Sequence, residues 1–433
     1  MKQYLNKGIF LNIYFILFTS CLLYRFINVI LDHSLKEYWG ITEWLINYQG
    51  GFVRRGLRGE LVFQLNKCFN LDPYTVITII TTIAFLSLTY FFIKGFRKKG
   101  YSLFILPFVF FLGGPILNNY WMRADSMILI IFVGVIYFAV KKPRFYLLWI
   151  NLFAILGSLI HEIFAFVCLP ILIFLLINNF KGRFTTFLSF IYSCIVILPS
   201  IFSTLMVSYF KGTSATAFAI WESWKSVEFP HCALVEMEKM NMGAIAGIGL
   251  TVWRGVSRFS GKFIKSFDLD LYGPLILLLT ILVVYFILTN IDRFNDKILG
   301  YKPKDGNNKK HVSMVLLFQF CATAPLYIIG NDYSRWIFLW VCSSFILLIL
   351  LPCKKLELVY PKVVENVSVT INDALVRFMG DSKGVTTLLT LIIGFPLYSW
   401  NLEGAITTSS LYIVLSSISS VFKIGLGLLG IQL

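Results

Sequence analysis

Long apolar stretches alternate along this chain with short clusters of lysine and arginine, and that alternation predicts its elements. The apolar runs 9–31, 73–93, 102–117, 126–140, 145–180, 184–207, 273–290, 313–329, 336–352, 385–399 and 409–429 match the roughly 20 mainly apolar residues that a spanning helix needs. A membrane barrel would instead show segments of about ten residues alternating polar with apolar. Basic clusters punctuate the runs: Lys2 and Lys7, Lys94 with Arg97-Lys98-Lys99, Lys141-Lys142 with Arg144, Lys181 with Arg183, the stretch 291–311, and Lys354-Lys355. Short basic loops stay on the cytoplasmic side, so each interval between clusters must hold an even number of crossings.

Parity is most demanding at 145–180. That stretch would extend about 45 Å as one helix, too long for a single unstrained span. Two shorter helices are predicted, with the break at His161-Glu162, the one strongly polar pair in the stretch. The expected fold is all-α, a polytopic membrane bundle of about twelve transmembrane helices with both termini cytoplasmic. It forms a single domain, 1–433, with a first extracytoplasmic loop at 32–72, a large extracytoplasmic segment at 208–272 carrying short amphipathic helices, and a cytoplasmic linker at 353–384. The first run follows Lys2 and Lys7 without a small-residue cleavage site and reads as a retained signal anchor.

Composition agrees with this pattern. Hydrophobic residues make up 58% and charged residues 14% of 433 residues, with a mean hydropathy of +0.77, which excludes an ordinary soluble globule. The net charge of +16 would suggest nucleic acid in a soluble protein. In a membrane protein it reflects the basic loops held inside, and no nucleic-acid partner is expected. The eight cysteines show no C-x-x-C spacing and sit mostly within apolar runs, implying neither a disulfide framework nor zinc.

The remaining charges stand on the outer side, where such residues need a reason. The first loop holds Asp32-His33, Glu43 and the run Gly50-Gly51-Phe52-Val53-Arg54-Arg55-Gly56-Leu57-Arg58-Gly59-Glu60. Arg54, Arg55 and Arg58 form either a headgroup-facing surface or a phosphate clamp, since guanidinium matches phosphate oxygens and the nearby glycines let backbone approach an anion. Arg123 and Asp125 follow Asn118-Asn119-Tyr120-Trp121, a mixture suited to a sugar ring; the alternative is a helix cap at Asp125. His161-Glu162 lies at or near membrane depth, where ionisable groups are costly and point to function, or else forms a polar turn touching water. Asp332 and Arg335 flank an outer turn as a structural pair or as ligand contacts. The 208–272 segment adds Trp221, Glu222, Trp224, Glu228, His231, Glu236, Glu238, Trp253, Arg254 and Arg258. His231, Glu236 and Glu238 fit no zinc spacing, and no nucleotide-binding motif is present. No metal and no cofactor is expected, and an outward enzyme without nucleotide requires a lipid-carried substrate.

This layout resembles the multi-spanning glycosyltransferases of the GT-C type, which take sugars from polyprenyl carriers with an acid in the first outer loop; Asp32 is the matching position. The set Gly50–Leu57, Arg123-x-Asp125, His161-Glu162 and Asp332-x-x-Arg335-Trp336 also resembles membrane proteins of bacterial surface-polysaccharide clusters, including O-antigen and capsule polymerases. The resemblance implies transfer from a polyprenyl-linked saccharide at the outer face of a bacterial inner membrane, with a chain-length regulator as a possible partner. Asp32, Glu162 and Glu60 are the expected catalytic acids. Arg54, Arg55, Arg58, Arg123, Asp125, His161, Asp332 and Arg335 are the expected substrate-binding groups. A flippase of lipid-linked saccharide and a non-catalytic envelope component are the competing readings.

Overall fold

The computed structural model describes residues 2–32, 39–225, 243–251, 253, 255–257, 259–261, 272–294, 308–397 and 402–428. Among these there are helices and turns and no strand. Among the described residues, four helices are long and apolar enough to cross a membrane, Phe10–Leu31, Pro73–Lys99, Lys309–Ile329 and Tyr333–Leu350, and a fifth span results if the bent pair Thr186–Val196 and Leu198–Tyr209 is one crossing. The expected figure of about twelve is therefore not reached by helix length and composition, and several further apolar helices, such as Tyr146–Ile160 and Phe164–Phe180, are shorter.

Helices α1 (Lys2–Asp32), α2 (Trp39–Trp44), α3 (Gly56–Phe69) and α4 (Pro73–Lys99) open the chain. Local chemistry sets the limits of α4. Asp72 caps its N-terminus by accepting from Thr75 N at 2.8 Å, Pro73 supplies a helical φ, and Arg97-Lys98-Lys99 precede Gly100 at φ 74°, a left-handed stop. After the short α5 (Gly113–Leu117) come α6 (Asp125–Lys141), α7 (Tyr146–Ile160), α8 (Phe164–Phe180), α9 (Thr186–Val196), α10 (Leu198–Tyr209) and α11 (Ser214–Trp224). The C-terminal part holds α12 (Tyr272–Thr289), α13 (Asn308–Ile329), α14 (Tyr333–Leu350), α15 (Cys353–Val359), α16 (Lys362–Met379), α17 (Lys383–Ile392), α18 (Leu402–Thr407) and α19 (Ser410–Leu428). Every residue of α14 from Tyr333 to Leu348 is buried, with α4, α5, α6, α8 and α13 packed around it.

Three stretches differ from the expected single elements. Run 102–117 is not a helical span: it holds a 3-10 turn at Leu103–Ile105, irregular turns and α5. Pro107 and Pro115 withhold amide donors, and Gly113 sits so close to the Pro107 carbonyl that a Cβ there would lie 1.9 Å from it. The chain nevertheless runs alongside part of α1 here. Phe104, Phe108 and Trp121 pack in turn against Phe15, Phe18 and Phe26 of α1, at 5.8, 5.5 and 4.7 Å between centroids. Irregular backbone at membrane depth is tolerated where protein surrounds it, and Phe104, Phe108, Phe110 and Phe111 are all buried. Run 184–207 is broken by 54° between α9 and α10, next to Pro199, whose ring cannot continue the preceding helix. The 353–384 stretch folds into α15 and α16, with Ser313 Oγ donating to the Ser368 carbonyl at 2.9 Å.

The bundle has two chemically distinct ends. At one, Lys99 donates to Leu351 O at 3.0 Å, joining the C-termini of α4 and α14, Asn179 of α8 reaches Ala139 O of α6, and Lys142 stands close enough to Lys355 to weigh on its charge. Lys310 pairs with Glu365 at 2.7 Å there. The N-termini of α4, α6, α8 and α14 all point to the other end, where the candidate site lies.

Candidate functional site

The turn between α7 and α8 falls on the predicted polar pair. His161 ends α7 in extended conformation, and α8 resumes at Phe164. Glu162 thus projects from a turn at the end of the bundle. Facing it is Arg55, held at φ 65° immediately before α3, a left-handed conformation uncommon for a residue with a side chain. The Nε of Arg55 donates to Glu162 Oε2 at 2.9 Å and to Oε1 at 3.1 Å, and its Nη2 donates to Oε1, a bidentate pairing. Its other terminal nitrogen, Nη1, donates to Glu43 Oε1 at 3.1 Å.

Glu43 is the hub. The same Oε1 lies 3.1 Å from Arg58 Nη2 and 3.2 Å from His161 Nε2, and the Glu43, Arg58 and His161 side chains are each only 1% exposed. These two approaches lack hydrogen-bond alignment, since the Arg58 guanidinium nitrogens and His161 Nε2 make no hydrogen bond. Arg58 is stabilised instead by the Glu43 charge and by the Trp44 ring, 5.2 Å from its centre. His161 Nδ1 approaches Glu162 Oε2 at 3.2 Å, so the imidazole sits between two carboxylates. Arg54 adds Nη1 at 3.5 Å from Glu162 and donates through Nη2 to the carbonyls of Gly247 and Leu250.

A second group adjoins the first. Arg335 makes a bidentate contact with Asp125 at 2.8 and 2.9 Å, and Asp332 Oδ2 accepts from Arg335 Nη1 at 2.5 Å and from Arg123 Nη1 at 2.6 Å. Trp44 joins the groups by donating to Met122 O at 2.8 Å, and Arg335 is near enough to act electrostatically on Arg55 and Arg58. Together these side chains bring five guanidinium groups and an imidazole against four carboxylates.

Exposure sorts their roles. Arg54, Arg55, Glu162 and Asp332 keep 15–20% of their side-chain surface, whereas Arg58, Glu43, His161, Arg123, Asp125 and Arg335 keep 1–3%. The first four form a rim that a ligand can touch; the other six hold the rim in place. Burial alone would raise the Glu43 carboxyl, but Arg58, then His161 and Arg55, hold it well below the usual carboxylate range. Glu162 is likewise depressed despite burial, by Arg55 and then His161, and Asp332 by Arg123 and Arg335.

Of the eleven residues expected to be catalytic or substrate-binding, nine meet in this network. Glu60 does not: its carboxylate faces away, accepting from Tyr48 N at 2.9 Å and from the side-chain amides of Gln49 and Gln64. Asp32 is the last residue of α1, and its side chain lies outside the described residues. So do His33, Glu228, His231, Glu236, Glu238, Arg254 and Arg258. Trp221 and Trp224 are buried, with Trp224 donating to Leu45 O at 2.8 Å. Three of the four glycines serve packing, Gly50 against Thr216, Gly56 against the Tyr48 ring and Gly59 against the Ile46 carbonyl. Glu43 is the residue that sequence reasoning passed over as a site member. Its signal was an acid within the apolar run Trp39–Ile46, the same cue that marked His161-Glu162.

Among the described residues no group of three or more His, Cys, Asp or Glu side chains is arranged to hold a metal ion; arginines fill the space between the acids. Comparison with known proteins gives no match, as no family model, curated protein or solved structure is significantly similar to the chain.

Proposed function

We propose that the chain is a membrane glycosyltransferase or polysaccharide polymerase that uses polyprenyl-phosphate- or diphosphate-linked saccharide at the extracytoplasmic face of a bacterial inner membrane. The observation that supports this reading is the arrival of Arg54, Arg55, Glu162 and Asp332, from three distant parts of the chain, on one rim at the end of the bundle opposite the basic loop ends. With the basic loops taken as cytoplasmic, the rim would lie outside, where nucleotide donors are absent. The crossings beyond the long helices would be made by the shorter apolar helices and by the sheltered segment 100–124, which keeps loop parity.

In the proposed reaction the acceptor hydroxyl oxygen bonds to the anomeric carbon while the bond from that carbon to the lipid phosphate breaks, its electron pair leaving with the phosphate. The hydroxyl proton passes to a carboxylate, Glu162 or Asp32. Arg54 and Arg55 stabilise charge on the departing phosphate. Arg58, Glu43 and His161 orient those groups from below, and the Arg123, Asp125, Asp332 and Arg335 set fixes the neighbouring wall.

Separate Arg55→Ala, Asp32→Asn and Glu162→Gln replacements in the native host, with surface polysaccharide resolved on gels, test the reading. Loss of long chains with single units intact is the expected result for a polymerase. Loss of all export supports a flippase instead, and an unchanged profile at normal protein levels in all three sinks the enzyme reading.

A further inference from the structure

Arg55 is held from two sides of unequal permanence. From within, Glu43 contacts Nη1 and is sealed in α2 among Ile41, Trp44, Leu45 and Ile46, all buried. From the rim, Glu162 covers the Nε–Nη2 edge from a turn rather than a helix, and both side chains reach solvent. That edge is the planar fork that receives two oxygens of a carboxylate or of a phosphate in the same geometry. We propose that the Nε–Nη2 edge of Arg55 is the docking edge for a phosphate or diphosphate group, and that Glu162 occupies it as an internal stand-in that the arriving anion displaces.

This rests on the reading above that the ligand carries phosphate, and it assigns that phosphate a position. The groups facing Glu162 are Arg55, Arg54 Nη1 at 3.5 Å and His161 Nδ1 at 3.2 Å, with Glu43 and Arg58 behind them. When the anion takes Arg55, the guanidinium stays anchored through Glu43, so the site does not come apart. Glu162 then loses its strongest cationic partner while keeping His161 beside it, and becomes a better proton acceptor than it is in the empty site. Ligand arrival would thus prepare the carboxylate that the proposed reaction needs.

The test is calorimetric binding of inorganic pyrophosphate to the full-length, detergent-solubilised protein at fixed pH and ionic strength. Glu162→Gln removes the competing charge and is expected to bind pyrophosphate about tenfold tighter than the unaltered protein, whereas Arg55→Lys, which loses the fork, binds about tenfold weaker. Should Glu162→Gln fail to fold, Glu162→Asp, one methylene shorter, is expected to tighten binding as well. Folded variants at Glu162 that bind no tighter than the unaltered protein overturn the inference while leaving the phosphate site standing. Absence of pyrophosphate binding by every folded form overturns the phosphate reading together with it.

Discussion

At the scale of single residues, the site rests on charges that cannot be removed one at a time. Arg335 and Asp125 are both about 98% removed from solvent and joined by two hydrogen bonds. Neutralising Arg335 leaves the buried Asp125 without its bidentate partner, and neutralising Asp125 leaves Arg335 with Asp332 alone; removing one partner of a buried pair costs about 3–5 kcal/mol. We therefore expect Asp125→Asn and Arg335→Gln to lower the melting temperature in detergent far more than Glu60→Gln, whose carboxylate is partly solvated. Equal losses in all three would contradict that account. The pH dependence follows from Glu43, Glu162 and Asp332, each depressed by neighbouring cations. A depressed carboxylate binds protons more readily unfolded than folded, so its stabilisation is complete above the unfolded value, about 4, and is lost as pH falls through the folded one. Melting temperature is expected to fall steadily below about pH 4, and to fall less steeply in Glu162→Gln; superimposable profiles for the two proteins would contradict the assignment. The residues of the rim could be found in the sequence because each breaks an apolar or outward-facing pattern. Their pairing could not: Arg55 with Glu162 and Arg335 with Asp125 are separated by 107 and 210 positions, and one-dimensional spacing carries no information about such contacts.

At the scale of elements, α3 and its approach to the 44–46 backbone decide whether Arg55 and Arg58 reach Glu43. Gly59 permits that approach, because a Cβ there would sit 2.0 Å from Ile46 O and 2.8 Å from Trp44 O, both backbone atoms that cannot rotate aside. Gly59→Ala is expected to cost about 1–3 kcal/mol through overpacking and to weaken pyrophosphate binding at the same time, as measured by thermal melting and calorimetry on one preparation. Loss of stability with anion binding intact would show that α3 can shift without disturbing Arg55. Element boundaries were legible where capping chemistry is local: Asp72-Pro73 opens α4 and Gly100 closes it, and the His161-Glu162 break lies where the polar pair predicted it. Run 102–117 was misjudged as a helix because hydropathy counts apolar residues without regard to order, whereas two prolines and a glycine pair decide its backbone. The bend at α9 and α10 arises in the same way from Pro199.

At the scale of the whole molecule, the separation of basic loop ends from the arginine and carboxylate rim is the feature that both sequence parity and three-dimensional packing describe. It makes a prediction about native thiols. Cys68 is exposed near the end of α3, on the rim side, while Cys353 begins α15 at the basic end. In a Cys232→Ser background, which removes the thiol of the 208–272 segment, a membrane-impermeant maleimide applied to intact cells is expected to label Cys68, with the signal lost on further Cys68→Ser replacement, and to reach Cys353 only after permeabilisation; the reverse pattern would invert the orientation. Helix length and composition support four or five spans among the described residues rather than about twelve, since several apolar helices are shorter than a bilayer is thick and run 102–117 is largely irregular. The central claim is that the rim transfers a sugar from a lipid phosphate. It is tested most directly by reconstituting the purified protein in vesicles with polyprenyl-diphosphate-linked saccharide and measuring release of polyprenyl diphosphate alongside growth of the glycan. The account predicts release coupled to chain growth in the unaltered protein and loss of both in Arg55→Ala; release and growth that persist undiminished in folded Arg55→Ala would contradict it.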